Sequence, residues 1–90
     1  MNKNYNNGAR RERRIMKKLE KEGWFCIRSA GSHSPIDIIA IKPLQEAEGY
    51  NPSRILLRFI QSKKSGYLTP QERKEKEELE QKLGIKIQVM

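Results

Sequence analysis

One aspartate inside an apolar run constrains this chain more than any other feature. Asp37 is the only aspartate in the sequence, and it sits within Ile36-Asp37-Ile38-Ile39-Ala40-Ile41. Such a run reads as a buried strand, where a carboxylate is expensive to hold unless something pairs with it. Arg28 closes the preceding strand. Ser29-Ala30-Gly31-Ser32-His33-Ser34-Pro35 then makes a small polar turn that leads into the aspartate. The next strand ends in Gln61-Ser62-Lys63. An acid early in one strand, followed by a polar-x-Lys triplet at the end of the next, is an arrangement that can bind a divalent metal ion.

Ninety residues imply one domain over positions 1–90. A chain of this size buries only roughly 60–65% of its unfolded surface, so a single core is the limit. The formal charge is +8, and its distribution says more than its total. Positions 1–66 hold 14 Lys and Arg against 6 Asp and Glu, whereas positions 67–90 hold 5 of each. The excess lies with the first helix and the strands, beside the acid, and points to a polyanion such as DNA. A generically soluble basic protein would not need the excess confined to one region. The single cysteine excludes an internal disulfide and a cysteine-built zinc site. No apolar stretch approaches the roughly 20 residues of a membrane span, and the N-terminus lacks a signal-peptide apolar region. The expected location is intracellular, in the cytoplasm.

Residues 1–7 read as a loose tail. Residues 8–22 read as a helix, with Ile15, Met16 and Leu19 on one side and Gly23 as its stop. Glu12 falls on the apolar side, while Arg10, Arg11, Arg13, Arg14, Lys17, Lys18 and Lys21 cover most of the rest. Strands are expected at 24–29, 36–42 and 54–63, with a long hairpin loop at 43–53. The middle strand is apolar on both faces, as a central buried strand would be. Thr69-Pro70-Gln71-Glu72 carries a capping residue, a first-turn proline and a capping-box acid, so a second helix starts there and stops at Gly84. It is mostly charged, with Leu79 and Leu83 as anchors, and should dock lightly. Alternation of Ile85, Ile87 and Val89 gives a last strand. The order is α-β-β-β-α-β.

Gln61 and Lys63 project from one face of their strand, and hairpin pairing would bring Asp37 near Gln61. Asp37, the Gln61 side-chain oxygen and the Ser62 carbonyl could then supply part of a magnesium shell, with Lys63 beside it to stabilise charge developing on a phosphate. A buried Asp37–Lys63 salt bridge would explain the same residues. Glu12 could approach Asp37 if its helix packs over the sheet, there to ligate the metal or position a water. It could equally pair with Arg28 or a neighbouring helix arginine. Trp24 and Phe25 are expected to pack under the helix, and Cys26 to be a small core residue. His33 reads as an exposed turn residue that could contact a phosphate or act as an acid.

Several segments together carry a family resemblance. These are Gly8-Ala9-Arg10-Arg11-Glu12-Arg13, Leu19-Glu20-Lys21-Glu22-Gly23-Trp24, Arg28-Ser29-Ala30-Gly31-Ser32, Ile36-Asp37-Ile38-Ile39-Ala40 and Ile60-Gln61-Ser62-Lys63. In order and spacing they resemble the archaeal Holliday junction resolvases of the PD-(D/E)XK nuclease superfamily. The first and third segments are specific to the resolvase branch.

The resemblance implies a restriction-endonuclease-like α/β fold, with a mixed central sheet and flanking helices. It implies Mg²⁺- or Mn²⁺-dependent cleavage of phosphodiester bonds in branched or junction DNA by a homodimer. It places Glu12, Asp37, Gln61 and Lys63 at the active-site positions, with the metal between Asp37, Gln61, Ser62 and Glu12. Arg10, Arg11, Arg13, Arg14, Arg28, Ser29, Ser32, His33 and Lys64 would then face DNA. Two departures stand out. The family's second acid is usually Glu, and here Gln61 takes its place, as in some superfamily branches. Family members also tend to extend further beyond the last strand, and that region helps to form their dimer. A catalytically weak or silent DNA-binding module on the same fold is the alternative.

Overall fold

The computed structural model describes residues 3–29, 34–46 and 49–90. In chain order the elements are α1 (Lys3–Lys21), β1 (Phe25–Arg28), β2 (Ile38–Glu46), β3 (Gly49–Gln61), a 3-10 turn (Lys64–Gly66), α2 (Pro70–Leu83) and β4 (Ile87–Val89). The four strands form one mixed sheet in the order β1-β2-β3-β4. The first two pairings are antiparallel and the third is parallel. A parallel pair needs a crossover, and α2 supplies it. The result is an α/β fold with helices flanking a mixed sheet, compatible with the restriction-endonuclease-like class.

The core lies between α1 and one face of the sheet. Ile15 and Leu19 of α1 meet Ile38, Ala40 and Ile60 there, with Met16, Trp24, Cys26 and Met90 packed around them. Ile38 and Ile60 are direct cross-strand partners and, like Leu19, are fully buried. Burying each of these three side chains contributes about 1.5–3 kcal/mol. Burial, followed by the nearby charge of Glu20, pushes the Cys26 thiol above its ordinary pKa. The helix ends in a Schellman motif: the Trp24 amide donates to the Leu19 carbonyl at 3.0 Å and the Gly23 amide to the Glu20 carbonyl at 3.0 Å. Gly23 has φ +95°, which a side chain would resist.

Three expectations change. The helix begins at Lys3, so residues 3–7 extend α1 instead of forming a tail. Their asparagines are weak helix formers and carry no apolar period, but a nucleated helix elongates at one hydrogen bond per residue. The expected loop at 43–53 is largely strand: β2 runs to Glu46 and β3 starts at Gly49, with a register shift between Pro43 and Gln45. Pro43 cannot donate to the ladder, and the irregularity beside it absorbs that defect. Finally, Phe25 does not pack under α1. It is 66% exposed on the opposite face, because alternation that turns Trp24 and Cys26 toward the helix turns Phe25 away.

That opposite face stays open on the β1 side. The register aligns Phe25, Ile41 and Leu57 in one row and Ile27, Ile39 and Phe59 in the next, which ends at buried Ile87 of β4. The middle strand is therefore buried under α1 but only half-covered on its other side. Helix α2 buries no residue of its own, as its polar sequence anticipates. Its N-terminus is closed by the expected capping box. The Glu72 amide donates to Thr69 Oγ1 at 3.2 Å, and the Thr69 amide donates to Glu72 Oε1 at 3.0 Å. Its far end is fastened by Glu80, whose Oε2 accepts from the Ile87 amide at 2.7 Å and from Lys76 Nζ at 3.2 Å. The Ile87 amide, chiefly, and the Lys76 ammonium hold Glu80 below the usual carboxylate range, against the opposing effect of burial.

Candidate active site

Asp37 is pinned by its backbone before its side chain does anything. Its amide donates to the Ile60 carbonyl at 2.8 Å, and its carbonyl accepts from the Ser29 amide at 2.8 Å. The aspartate thus stands where the ends of β1 and β3 converge on the start of β2. Its Oδ2 accepts a 2.8 Å hydrogen bond from the Ser62 amide. Burial pushes the Asp37 carboxyl above its ordinary pKa; the Ser62 amide and the charges of Lys63, Arg11 and Arg28 only partly offset this.

Gln61 is 5% exposed, and its Oε1 has no hydrogen-bond partner among the described residues; Ser62 Oγ is in the same position. An unpartnered buried amide oxygen typically costs about 1–3 kcal/mol. The Lys63 backbone amide donates a hydrogen bond to the Met90 carbonyl at 2.9 Å, and its ammonium is ion-paired with Glu72. Asp37, Gln61, Ser62 and Lys63 line one cleft of about 210 Å³, together with Ser34, Pro35, Glu72 and Glu75. That volume is ample for a hydrated ion. A larger groove of about 380 Å³ adjoins it, lined by Ser34, Pro35, Glu75, Glu78, Leu79 and Lys82. Its two glutamates make it a poor bed for a polyanion.

Glu12 lies elsewhere. Its Oε1 sits 3.4 Å from Arg28 Nε, with both side chains largely buried, and it does not line the cleft. Arg28 pairs with Ile38 across β1 and β2 and so shares the α1 side of the sheet, and its charge also acts on the Asp37 carboxyl. Of the arginines expected to face DNA, Arg10, Arg13 and Arg14 are exposed on α1. Arg11 is half-buried, its Nε has no hydrogen-bond partner among the described residues, and its charge reaches Asp37. Arg28 and Ser29 are half-buried, and Lys64 is exposed in the 3-10 turn. Ser32 and His33 lie outside the described residues.

Two glutamates in the cleft lining have no counterpart among the expected site residues. Glu72 reads from sequence as a capping-box acid, which it is, and nothing in linear spacing signals that its second oxygen reaches Lys63. Glu75 reads as a solvated helix residue. Among the described residues, no three His, Cys, Asp or Glu side chains converge as a ready-made metal cage. The donors present are the carboxylates of Asp37, Glu72 and Glu75, an unpartnered amide oxygen and a hydroxyl. All are hard oxygen ligands of the kind Mg²⁺ and Mn²⁺ take, and a magnesium site needs only one or two carboxylates with waters. The residues therefore fit such an ion.

A mixed sheet with helices on it, and with an aspartate and a Gln-Ser-Lys triplet at adjoining strand ends, is an α/β architecture compatible with the restriction-endonuclease-like class. Residues 3–47, half of the chain, match the archaeal Holliday junction resolvases (Hjc), and the chain belongs to that family. The matched segment contains Glu12, Arg28 and Asp37 and ends before Gln61 and Lys63. No curated protein and no solved structure matches the chain. Among the described residues, no helix is long and apolar enough to cross a membrane.

Proposed function

We propose that this protein is an endonuclease that hydrolyses phosphodiester bonds in branched DNA with the help of Mg²⁺ or Mn²⁺. The observation that carries this reading is the shared cleft of a half-buried aspartate, an unpartnered buried amide oxygen and a lysine, in a chain of the junction-resolvase family. Asp37 and Gln61 Oε1 would hold the ion, which supplies an activated water and neutralises charge on the phosphate when bound. Ser62 contributes its amide, which fixes the Asp37 carboxylate in one orientation. Lys63 places an ammonium at the cleft, where it can meet negative charge that grows on the phosphate oxygens. Arg10, Arg13 and Arg14, exposed on α1, are the side chains best placed to track the DNA backbone.

The same reading includes a second copy of the chain. Phe25, Ile27, Ile55 and Leu57 are each at least 47% exposed on the face away from α1. Monomeric proteins rarely leave a contiguous apolar patch of more than a few hundred Å² in water. A two-fold dimer through this face would cover it and provide two sites for two strands.

Gln61 favours one alternative, a DNA-binding module that has lost cleavage, because an amide attracts Mg²⁺ less than a carboxylate does. Cleavage of four-way junction, flap and linear duplex DNA, with and without Mg²⁺ or Mn²⁺, separates the two. Metal-dependent products on branched DNA that vanish in Asp37→Asn support the nuclease. Tight junction binding with no product in either metal supports the silent module.

A further inference from the structure

We infer that Glu72, from the first turn of α2, supplies the second carboxylate of the metal site, in place of the charge that Gln61 lacks. This deepens the nuclease reading above and rests on it.

The residue at the strand position beside Lys63 is neutral. Its Oε1 is nonetheless buried, unpartnered and part of the cleft lining, which marks a site built to receive a donor or a cation. The lining holds three carboxylates, Asp37, Glu72 and Glu75, to one ammonium, Lys63. That excess of negative charge suits a divalent cation in a chain whose overall charge is +8.

Glu72 is the best placed of the candidates for the second ligand. Glu12 is taken by Arg28 and does not line the cleft. Glu75, one turn further along α2, is exposed and accepts from the side-chain amide of Gln71 at 3.1 Å, whereas Glu72 is half-buried. The Glu72 carboxylate is oriented at both oxygens: Oε1 accepts from the Thr69 amide, and Oε2 pairs with Lys63. A carboxylate has about four lone-pair sites, so two such partners leave room for an ion. The capping box therefore does two things, closing the helix end and fixing a carboxylate at the cleft wall. The helix is lightly docked, with no buried residue, which lets its first turn adjust as the ion is taken up.

The test is calorimetric titration of Mn²⁺ into the full chain without DNA, for wild type, Asp37→Asn, Glu72→Gln, Glu12→Gln, Glu78→Gln and Thr69→Ala, each checked by circular dichroism. Glu72→Gln and Asp37→Asn should each weaken binding by more than about tenfold. Glu12→Gln, and Glu78→Gln as the control for lost charge on α2 outside the cleft, should stay within about twofold at physiological salt. Thr69→Ala removes the capping hydroxyl, keeps the carboxylate, and should retain the ion. Unchanged affinity in Glu72→Gln, with affinity lost in Asp37→Asn, would overturn the role of Glu72 and leave the nuclease reading standing. Equal losses in Glu72→Gln and Thr69→Ala would assign the effect to the helix cap and overturn it as well. Wild-type protein that takes up no Mn²⁺ at all would overturn both readings.

Discussion

The Ser62 amide and the Asp37 carboxylate meet at 2.8 Å across 25 positions of chain. This one bond joins the end of β3 to the entrance of β2 and sets the orientation of the acid on which the site depends. It does not outweigh burial, which keeps the Asp37 carboxyl above its ordinary pKa.

That direction predicts a stability trade. A carboxyl whose folded pKa is raised stabilises the fold fully below its unfolded pKa, and this contribution is lost as pH rises through the folded value. At pH 7, without metal, ionised Asp37 therefore costs stability. Asp37→Asn should raise the melting temperature at pH 7, and the gap should close near pH 3. Cleavage should disappear. Thermal melts in chelator at both pH values, beside a cleavage assay, check this; a lower melting temperature for the variant at pH 7 would contradict it.

Gln61→Glu should tighten metal binding and destabilise the metal-free protein. The new carboxylate would occupy a position only 5% exposed, next to an acid that burial already disfavours in its charged form. Calorimetry with Mg²⁺ should show higher affinity than wild type, while the melt in chelator falls. Equal affinity would mean that position 61 does not touch the ion.

DNA binding should depend steeply on salt. Replacing the exposed Arg10, Arg13 and Arg14 together with Gln should lower the slope of log K against log salt by roughly 2–3, at about 0.9 per phosphate contact. Half-buried Arg11, whose charge acts on the Asp37 carboxyl, should leave the slope nearly unchanged when replaced alone. Fluorescence anisotropy between 50 and about 200 mM salt measures both.

The open sheet face should carry a dimer. Wild type should sediment as a dimer at tens of micromolar, and Leu57→Lys as a monomer with an unchanged circular dichroism spectrum. Leu57 is 47% exposed in the single chain, so the substitution does not enter the core. A variant that remains dimeric would move the interface elsewhere.

Glu80→Gln should destabilise the chain by about 1.5–3 kcal/mol at pH 7, the range for a hydrogen bond to a charged group. Its folded pKa is lowered, so the stabilisation is present above the unfolded carboxylate pKa and lost as pH falls through the folded value. Urea unfolding at pH 7 and pH 3 should show the difference shrinking in acid.

Local chemistry in the sequence was enough for the order of elements, the Schellman stop at Gly23, the capping box at Thr69 and Glu72, and the convergence of Asp37 with Gln61 and Lys63. Each of these rests on spacing within one element or on the pairing of adjacent strands. Residues without a periodic apolar signal were not legible in the same way. The asparagines of 3–7 join α1 by elongation, and Pro43 sits in a strand because a register shift accommodates it. The partners of the acids were decided only in three dimensions. Glu12 and Asp37 both looked able to serve one ion, but the fold pairs Glu12 with Arg28, and Glu12 does not line the Asp37 cleft. Glu72 reaches Lys63 because the β3–α2–β4 crossover returns the start of α2 to the end of β3. Linear distance along a chain does not encode which face a side chain leaves from once strands pair, and that choice of face determines which carboxylate meets the cleft.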